Sequence, residues 1–197
     1  VRAVVASPDG RRVYVGGSFT SVAGVNKYRI AAFDTATGQL VSSFVAGTNS
    51  QVRAIAATNT TVYVGGIFTQ AGGQARTKLA AFNASNGAVL PRAPTVDDAS
   101  VSALTVSPDG RSVVVGGSFT SFNGSPANGV GLARVDAVSG ASQPLPVNAI
   151  IRNSGVNGSI LGLTSDDTSF YGVGYTWGRV GGTLEGTFRA DWATGQL

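Results

Sequence analysis

The chain has 197 residues, of which 43% are hydrophobic and only 12% charged, a composition that favours a globular protein with a core. It contains neither cysteine nor histidine, which excludes disulfides, Ser-His-Asp and Cys-His catalysis, and metal sites that depend on those ligands. The 14 basic residues behind the net charge of +4 are scattered, whereas a nucleic-acid face needs a cluster or stripe. We therefore expect no nucleic-acid partner. No apolar run is long enough for a membrane helix, so we also expect no membrane insertion.

A short motif returns four times along the chain. It reads VYVGGSFTSVAG from Val13, VYVGGIFTQAGG from Val62 and VVVGGSFTSFNG from Val113, and a divergent copy, YGVGYTWGRVGG, starts at Tyr171. Downstream of each copy an Asp or Asn is followed four residues later by glycine. Agreement in both order and spacing indicates an internal repeat.

Each repeat predicts four short strands in the same order. The first strand, at residues 1–7 in the first copy, leads into an SPDG turn of type I with proline at its second position. The second strand, RVYVGGSF, is rich in β-branched and aromatic residues, and its glycine pair predicts a bulge or a close backbone contact. After a longer loop come a third strand, RIAAFD, the Asp-to-Gly turn, and a fourth strand, QLVSSF.

Tandem four-stranded antiparallel units of this length predict an all-β fold, a β-propeller whose sheets stack around an axis. The sequence places its four blades at about 1–50, 51–100, 101–157 and 158–197, the last of them incomplete, and we expect them to form part of a larger ring. An open β-solenoid or a two-sheet fold is the distant alternative.

The stretch VVVGGSFTSFNGSPANGVGLARVDAVSG, from Val113 to Gly140, resembles the delta-sixty repeat of bacterial secreted and surface proteins. Arg134 and Val135 fall on the ARLN stretch of that repeat, and the fourth copy departs from it where Tyr175 replaces the second glycine. The resemblance implies a β-propeller within a long exported protein, at the cell surface or outside the cell. It implies no catalytic motif that could be transferred to residues of this chain.

Carboxylates are the remaining candidates for chemistry. Five aspartates fall at predicted turns, where we expect structural roles: Asp9, Asp34, Asp109, Asp136 and Asp191. The pairs Asp97-Asp98 and Asp166-Asp167 lie in predicted loops, where solvated pairs are favoured over a site for a hard cation. Glu185 is the only glutamate, and a glycosidase needs two carboxylates around one bond. We therefore predict no catalytic residues, no metal site and no cofactor.

Propeller topology predicts a ligand-binding face where the loops between second and third strands gather. Arginines and aromatics on such a rim suit a glycan or an acidic protein partner, and Trp177, on the same loops, is expected in the blade core. Arg2 and Arg53 hold equivalent places at the start of the innermost strand. The predicted ligand-binding residues are Arg2, Arg53, Lys27, Tyr28, Arg29, Arg76, Phe122, Asn123 and Arg179.

Three functions remain open from the sequence. The favoured one is a non-catalytic extracellular propeller module that serves binding or structural display in a longer exported protein. The second is a carbohydrate-active or carbohydrate-binding domain of a secreted enzyme, which convergence of Asp97, Asp98 or Glu185 in a cleft would favour. The third is a structural assembly, in which further blades of the same parent chain or a second four-blade half complete a ring.

Overall fold

The structure is a computed structural model, and it describes residues 1–92, 94–152, 158–175 and 185–197. In this part of the chain the regular elements are antiparallel strands and two short 3-10 helices, Pro126–Asn128 and Pro146–Ala149. The chain divides into two compact units, residues 1–93 and residues 94–197.

The first unit contains two three-stranded antiparallel sheets and two small ribbons. Sheet 1 has the order β1-β2-β5, sheet 2 has the order β10-β7-β6, and the ribbons β3-β4 and β8-β9 lie in the long loops. Its strands are β1 (Ala3–Ala6), β2 (Arg12–Gly16), β3 (Ser21–Val22), β4 (Val25–Asn26), β5 (Ile30–Asp34), β6 (Val52–Ala57), β7 (Thr61–Gly66), β8 (Gln70–Ala71), β9 (Gln74–Ala75) and β10 (Leu79–Asn83).

The second unit also contains two antiparallel sheets, one of four strands and one of three. Sheet 3 has the order β11-β12-β13-β14, and sheet 4 has the order β15-β16-β17. Its strands are β11 (Val101–Val106), β12 (Ser112–Gly117), β13 (Leu132–Asp136), β14 (Ser142–Gln143), β15 (Ser159–Ser165), β16 (Ser169–Tyr175) and β17 (Glu185–Asp191). The first three predicted strands of every repeat are therefore confirmed.

The predicted fourth strand is largely absent. In sheets 1 and 2 it is reduced to isolated bridges, Phe33 with Leu40 and Phe82 with Val89, and only sheet 3 extends it to a two-residue strand. In the first unit a buried cation takes up carbonyls of the segment that leaves the sheet: the Lys27 amino group bonds the Phe44 carbonyl at 2.5 Å. A side chain thus satisfies carbonyls that a ladder would otherwise pair.

The SPDG turns form as predicted. The Ser7 hydroxyl donates to the Asp9 carboxylate at 2.6 Å, and the Gly10 amide donates to the Ser7 carbonyl at 2.9 Å. Ser107 and Asp109 repeat the hydroxyl-to-carboxylate bond in sheet 3 at 2.5 Å. Because these bonds are local in sequence, the motif alone is enough to predict them.

At the motif glycines another part of the chain comes too close for a side chain, as the sequence predicts. A Cβ at Gly66 or Gly117 would lie 2.1 or 2.0 Å from the carbonyl oxygen of Gln51 or Ser100. The register of the facing strand shifts between Val52 and Ala54 and between the equivalent residues of sheet 3, which marks a bulge at the same level.

Within the first unit, one face of sheet 1 packs on sheet 2. A Cβ at Gly16 would lie 2.6 and 2.7 Å from the side chains of Val52 and Ile55, so the missing side chain lets the two sheets approach. The Tyr14 hydroxyl donates to the Ala84 carbonyl at 3.1 Å, and the Arg12 guanidinium donates to the same carbonyl and to the carbonyl of Ser85. Both donors thus tie sheet 1 to the turn after β10.

Within the second unit, sheet 3 packs on sheet 4 in the same way. A Cβ at Gly116 would lie 2.7 Å from the side chain of Ile160 and 3.1 Å from that of Leu163. The Arg134 guanidinium donates to the Trp192 carbonyl at 3.0 Å and lies 5.8 Å from the centre of the indole ring. Trp192 holds the repeat position of Ala84, directly after the residue that ends the third strand.

Candidate functional site

Three of the predicted arginines flank the glycine pair of sheet 1. The Arg2 amide donates to the Gly16 carbonyl at 2.7 Å, and the Gly17 amide donates to the Arg29 carbonyl at 3.0 Å. The Gly17 carbonyl accepts the amide of Val52 at 3.1 Å, which places Arg53 one residue away. Backbone pairing therefore brings the starts of β1, β5 and β6 to one place in the first unit. We call Arg2, Arg29 and Arg53 the arginine cluster.

Side-chain contacts hold two members of the arginine cluster. The Arg29 guanidinium donates to the Thr48 carbonyl at 3.0 Å, and Arg29 adopts a φ of +71° that few non-glycine residues take. The Arg53 Nε donates to the Gln51 side chain at 3.1 Å, and Gln51 in turn donates to the Ser18 hydroxyl at 2.6 Å. The Arg2 side chain is exposed.

Tyr28 lies beside this cluster and remains 53% exposed. Its carbonyl accepts the Thr48 amide at 3.2 Å, and a Cβ at Gly47 would lie 3.2 Å from its own Cβ. The backbone is therefore fixed while the ring reaches solvent. An exposed aromatic ring offers a stacking surface, and the guanidinium groups of the arginine cluster offer cationic donors in the same region of the first unit.

Lys27 and Arg76 are buried and bond to backbone carbonyls. The Lys27 amino group is 4% exposed and donates to the carbonyls of Phe44, Ser42 and Val41, and burial lowers its pKa. Arg76, at the same repeat position, donates to the carbonyls of Leu90 and Ala75. Their binding role stays a prediction, and the burial of both side chains argues against it.

The predicted residues of the second unit serve packing and loop structure. Phe122 is fully buried, with its ring centre 5.7 Å from that of Phe119. The Asn123 side chain accepts the Thr95 amide at 2.8 Å and donates to the Ser142 hydroxyl at 2.9 Å. Arg179 and Trp177 lie outside the residues that the structure describes. The structure thus gathers Arg2, Arg29, Arg53 and Tyr28 within the first unit, whereas Phe122 and Asn123 belong to the second unit.

The turn aspartates act as acceptors of local hydrogen bonds. Asp34 accepts the Thr37 amide at 2.9 Å, and this amide and the Thr37 hydroxyl lower the pKa of its carboxyl group. Asp136 and Asp191 accept the equivalent amides at 2.7 Å each, while Asn83 does so with its amide oxygen. The glycine four residues later has a φ between +65° and +78° in all four turns. The turn role predicted for these aspartates is confirmed.

Asp97 and Asp98 accept hydrogen bonds from the loop that follows β12. The Asp97 carboxylate accepts hydrogen bonds from the Ser121 hydroxyl at 2.5 Å and from the Gly124 amide at 3.0 Å. The hydrogen bond from Ser121 is the main reason why the pKa of Asp97 is lowered. Partial burial raises the pKa of Asp98, but the hydroxyl and amide of Thr120, together with the backbone amides of Ala99 and Asp98, outweigh it and the net shift is downward. Among the residues that the structure describes, no three or more Asp, Glu, His or Cys side chains are grouped to hold a metal ion.

The sequence motifs do not reveal the donors that cross from one sheet to the next. Arg12, Tyr14 and Arg134 each reach a carbonyl of the neighbouring sheet in their unit. The repeat alignment carries part of the signal, because tyrosine recurs at the position of Tyr14 as Tyr63. The strand register places Tyr171 there too, one residue from its place in the sequence motif, so Gly174 and not Tyr175 holds the position of the second glycine. The identity of the acceptor could not be predicted, because it is a backbone group of a strand far along the chain.

Comparison with known proteins supports the fold. Residues 107–137 match a family described as a domain of unknown function (DUF5122) β-propeller. No curated protein matches the sequence. Hydrazine synthase of Kuenenia stuttgartiensis superposes over 99% of this chain and 47% of its own, with 15% identity and a TM-score of 0.60. U3-55K gives 10% identity and a TM-score of 0.62 over 93% of this chain and 53% of its own.

A computationally designed protein, Ika4, is also similar, with 18% identity and a TM-score of 0.55 over 87% of this chain and 83% of its own. The WD40 repeats of RRP9 give 13% identity and a TM-score of 0.56. Together with the antiparallel sheets, these likenesses identify the fold as a β-propeller. The chain spans about half the length of the hydrazine synthase and U3-55K chains. In the described part of the chain, no helix has the length and apolar character needed to cross a membrane.

Proposed function

We propose that this chain is a non-catalytic β-propeller module that binds a partner for a longer exported protein, at the cell surface or outside the cell. The observation that carries the proposal is the arginine cluster beside the exposed ring of Tyr28. The secreted context rests on the resemblance of the repeats to exported bacterial proteins.

The chemistry of the arginine cluster suits an acidic glycan. Guanidinium groups bind carboxylates and sulfates with two parallel hydrogen bonds, and a phenol ring packs on the apolar side of a sugar. Arg29 and Arg53 are already held by Thr48 and Gln51, so less side-chain freedom is lost on binding. An acidic protein segment presents the same carboxylates and is the second kind of partner that this surface fits.

The carboxylates support a non-catalytic role. A general acid needs a raised pKa, whereas hydrogen bonds from hydroxyls and backbone amides lower the pKa of Asp9, Asp34, Asp97 and Asp191. Asp97 and Asp98 each bind the loop that follows β12.

Calorimetric titration with alginate oligosaccharides, and with neutral laminarin oligosaccharides as a comparison, tests this function. We expect binding of alginate but not laminarin, weakened by salt, and a loss of about tenfold in Arg2→Ala or Arg53→Ala from each lost charged hydrogen bond. Arg111→Ala is the matched control, because Arg111 is an exposed arginine of the second unit. Absence of alginate binding, or equal loss in the control, would reject an acidic glycan at this cluster.

A further inference from the structure

One position beside the start of the third strand has a positive φ in every repeat. In the first unit it is Arg29, with a φ of +71°, and Lys78, with a φ of +65°. In the second unit it is Gly131, with a φ of +71°, and Gly186, with a φ of +122°. The carbonyls of Arg29, Lys78 and Gly131 each accept the amide of the second motif glycine of their repeat, at 3.0, 3.0 and 2.9 Å. The strand register places Gly186 opposite Gly174, which holds that glycine's place in the fourth repeat.

The fold does not need a side chain at this position, because both repeats of the second unit form their third strand with glycine there. Glycine takes a positive φ without steric cost, whereas other residues lose stability by doing so, and Asn and Asp are the usual exceptions. The first unit has neither glycine nor these exceptions. It has a partly exposed cation in both repeats, Arg29 and Lys78. Strain that the fold does not require indicates a role for these two side chains outside folding.

A second position distinguishes the two units in the same way. Arg53 is the extra residue at the register shift in β6, and a bulge of this kind redirects a side chain. The residues at the equivalent shifts of the second unit are Ser102 and Leu161, and both are uncharged. Arg2 holds this place in the first repeat. Both positions therefore carry a cation in each repeat of the first unit, and neither does so in the second unit.

Backbone pairing connects these cations across the first unit. The arginine cluster already joins Arg29 to Arg53. Val52, the neighbour of Arg53, pairs with Gly66, and the Gly66 amide donates to the Lys78 carbonyl at 3.0 Å. Arg53 thus lies between the other two cations on this path. Four steps between neighbouring strands, of about 5 Å each, put the backbones of Arg29 and Lys78 at most about 20 Å apart. We call Arg29, Arg53 and Lys78 the cation row.

We propose that Lys78 is a further ligand-binding residue, and that the ligand is a linear acidic polysaccharide long enough to reach along the cation row from Arg29 to Lys78. This ligand class rests on the proposed function and narrows it from any acidic glycan to a chain with a charge on successive sugars. Cations at repeated positions suit a ligand whose charges also repeat. Once one carboxylate is bound, the next is held at a high local concentration near the next cation, so each contact adds to the affinity.

Calorimetric titration with alginate fragments of one, two, four and six uronic acids tests the proposal. The affinity should rise with fragment length, and the hexamer should bind at least about tenfold more tightly than the monomer. Lys78→Gly removes the charge and the backbone strain together. It should weaken binding of the hexamer about tenfold and leave the midpoint of urea denaturation unchanged or higher. Lys78→Arg keeps the charge and should bind the hexamer as the unmodified chain does.

Ala23→Gly is the control for the change in the backbone, because Ala23 also has a positive φ, +48°, but carries no charge. Its affinity for the hexamer should equal that of the unmodified chain. Full-strength binding by Lys78→Gly, an equal loss in Lys78→Arg or Ala23→Gly, or equal affinities for monomer and hexamer would each overturn the inference. If Arg53→Ala still loses about tenfold in such a case, the proposed function stands without it. If the unmodified chain binds none of the alginate fragments, the proposed function fails as well.

Discussion

Each unit contains one contact between neighbouring sheets, and the two contacts use different donor side chains. Their acceptors are backbone carbonyls at the same repeat position. In the first unit Tyr14 and Arg12, both on the second strand, reach the Ala84 carbonyl. In the second unit Arg134, on the third strand, reaches the Trp192 carbonyl and stacks on its indole. The constant element is therefore a carbonyl fixed by the Asp or Asn turn, and the repeats are free to vary the donor. This explains how repeats of uneven sequence keep one geometry.

The largest expected effect is a difference in stability loss among glycines that share one repeat position, Gly17, Gly66 and Gly117. We expect Gly66→Ala and Gly117→Ala to destabilise their units by about 3 kcal/mol, because the new methyl would meet backbone carbonyls at 2.1 and 2.0 Å. Gly17→Ala meets its nearest atom, the Val1 Cα, at 3.1 Å and should cost less than about 1 kcal/mol. Urea denaturation followed by circular dichroism measures both. Equal losses at the three glycines would show that strand propensity, and not close approach, decides their use.

A smaller effect is expected at the buried cation of the first unit. Lys27→Met leaves the carbonyls of Phe44 and Ser42 without their donor and should cost about 2 kcal/mol at neutral pH. Lys27→Arg should retain most of the stability, because Arg76 at the same position of the next repeat also donates to a carbonyl of the segment that leaves its sheet, that of Leu90. Chemical denaturation of the three proteins gives the comparison, and a Met variant as stable as the Arg variant would contradict it.

The pH dependence of the same variants sharpens this test. Burial lowers the pKa of Lys27 below 10.5, so between the two values the unfolded chain binds more protons than the folded one. The stability of the unmodified chain should therefore rise with pH in that window, and its advantage over Lys27→Met should grow as pH approaches 10.5. Denaturation at successive pH values from neutral upward measures the difference. A falling difference would mean that the charged amino group is favoured in the fold.

The sequence predicts what depends on neighbours in the chain. The SPDG turns and the Asp-to-Gly turns are local, so residue type and spacing are enough. The glycine pairs indicate a close approach, but the sequence does not say which group approaches them. The side chain of Lys27 looks like a surface cation in sequence, because its partner carbonyls come from a segment whose path only the fold defines. The full fourth strand that the sequence predicts is wrong because its pairing also depends on the fold. Its residues suit a strand, but buried cations in the loops take some of its carbonyls.

The sheet-to-sheet donors should show an effect of intermediate size. Arg134→Met removes a charged hydrogen bond and a cation–π contact with Trp192 and should cost about 2 kcal/mol. Tyr14→Phe should cost about 1 kcal/mol, because Arg12 still donates to the Ala84 carbonyl. A Tyr14→Phe, Arg12→Met double variant should lose more than the sum of the single losses, since it alone leaves the carbonyl unpaired. Additive losses in thermal melts would mean that the two donors act independently.

The smallest effect is expected at the turn position where one repeat has aspartate, Asp34, and the next has asparagine, Asn83. Asp34→Asn should lower the melting temperature only slightly at neutral pH, because Asn83 accepts the same turn amides in the second repeat without a charge. This small difference should close in acid. Hydrogen bonds from Thr37 lower the pKa of Asp34 below 3.8, so its contribution is present above that value and is lost as pH falls through the folded pKa. Asp34→Asn removes this titration, and its melting temperature should fall less than that of the unmodified chain between neutral pH and pH 2. Parallel curves for the two proteins would mean that the turn needs the acceptor oxygen but not its charge.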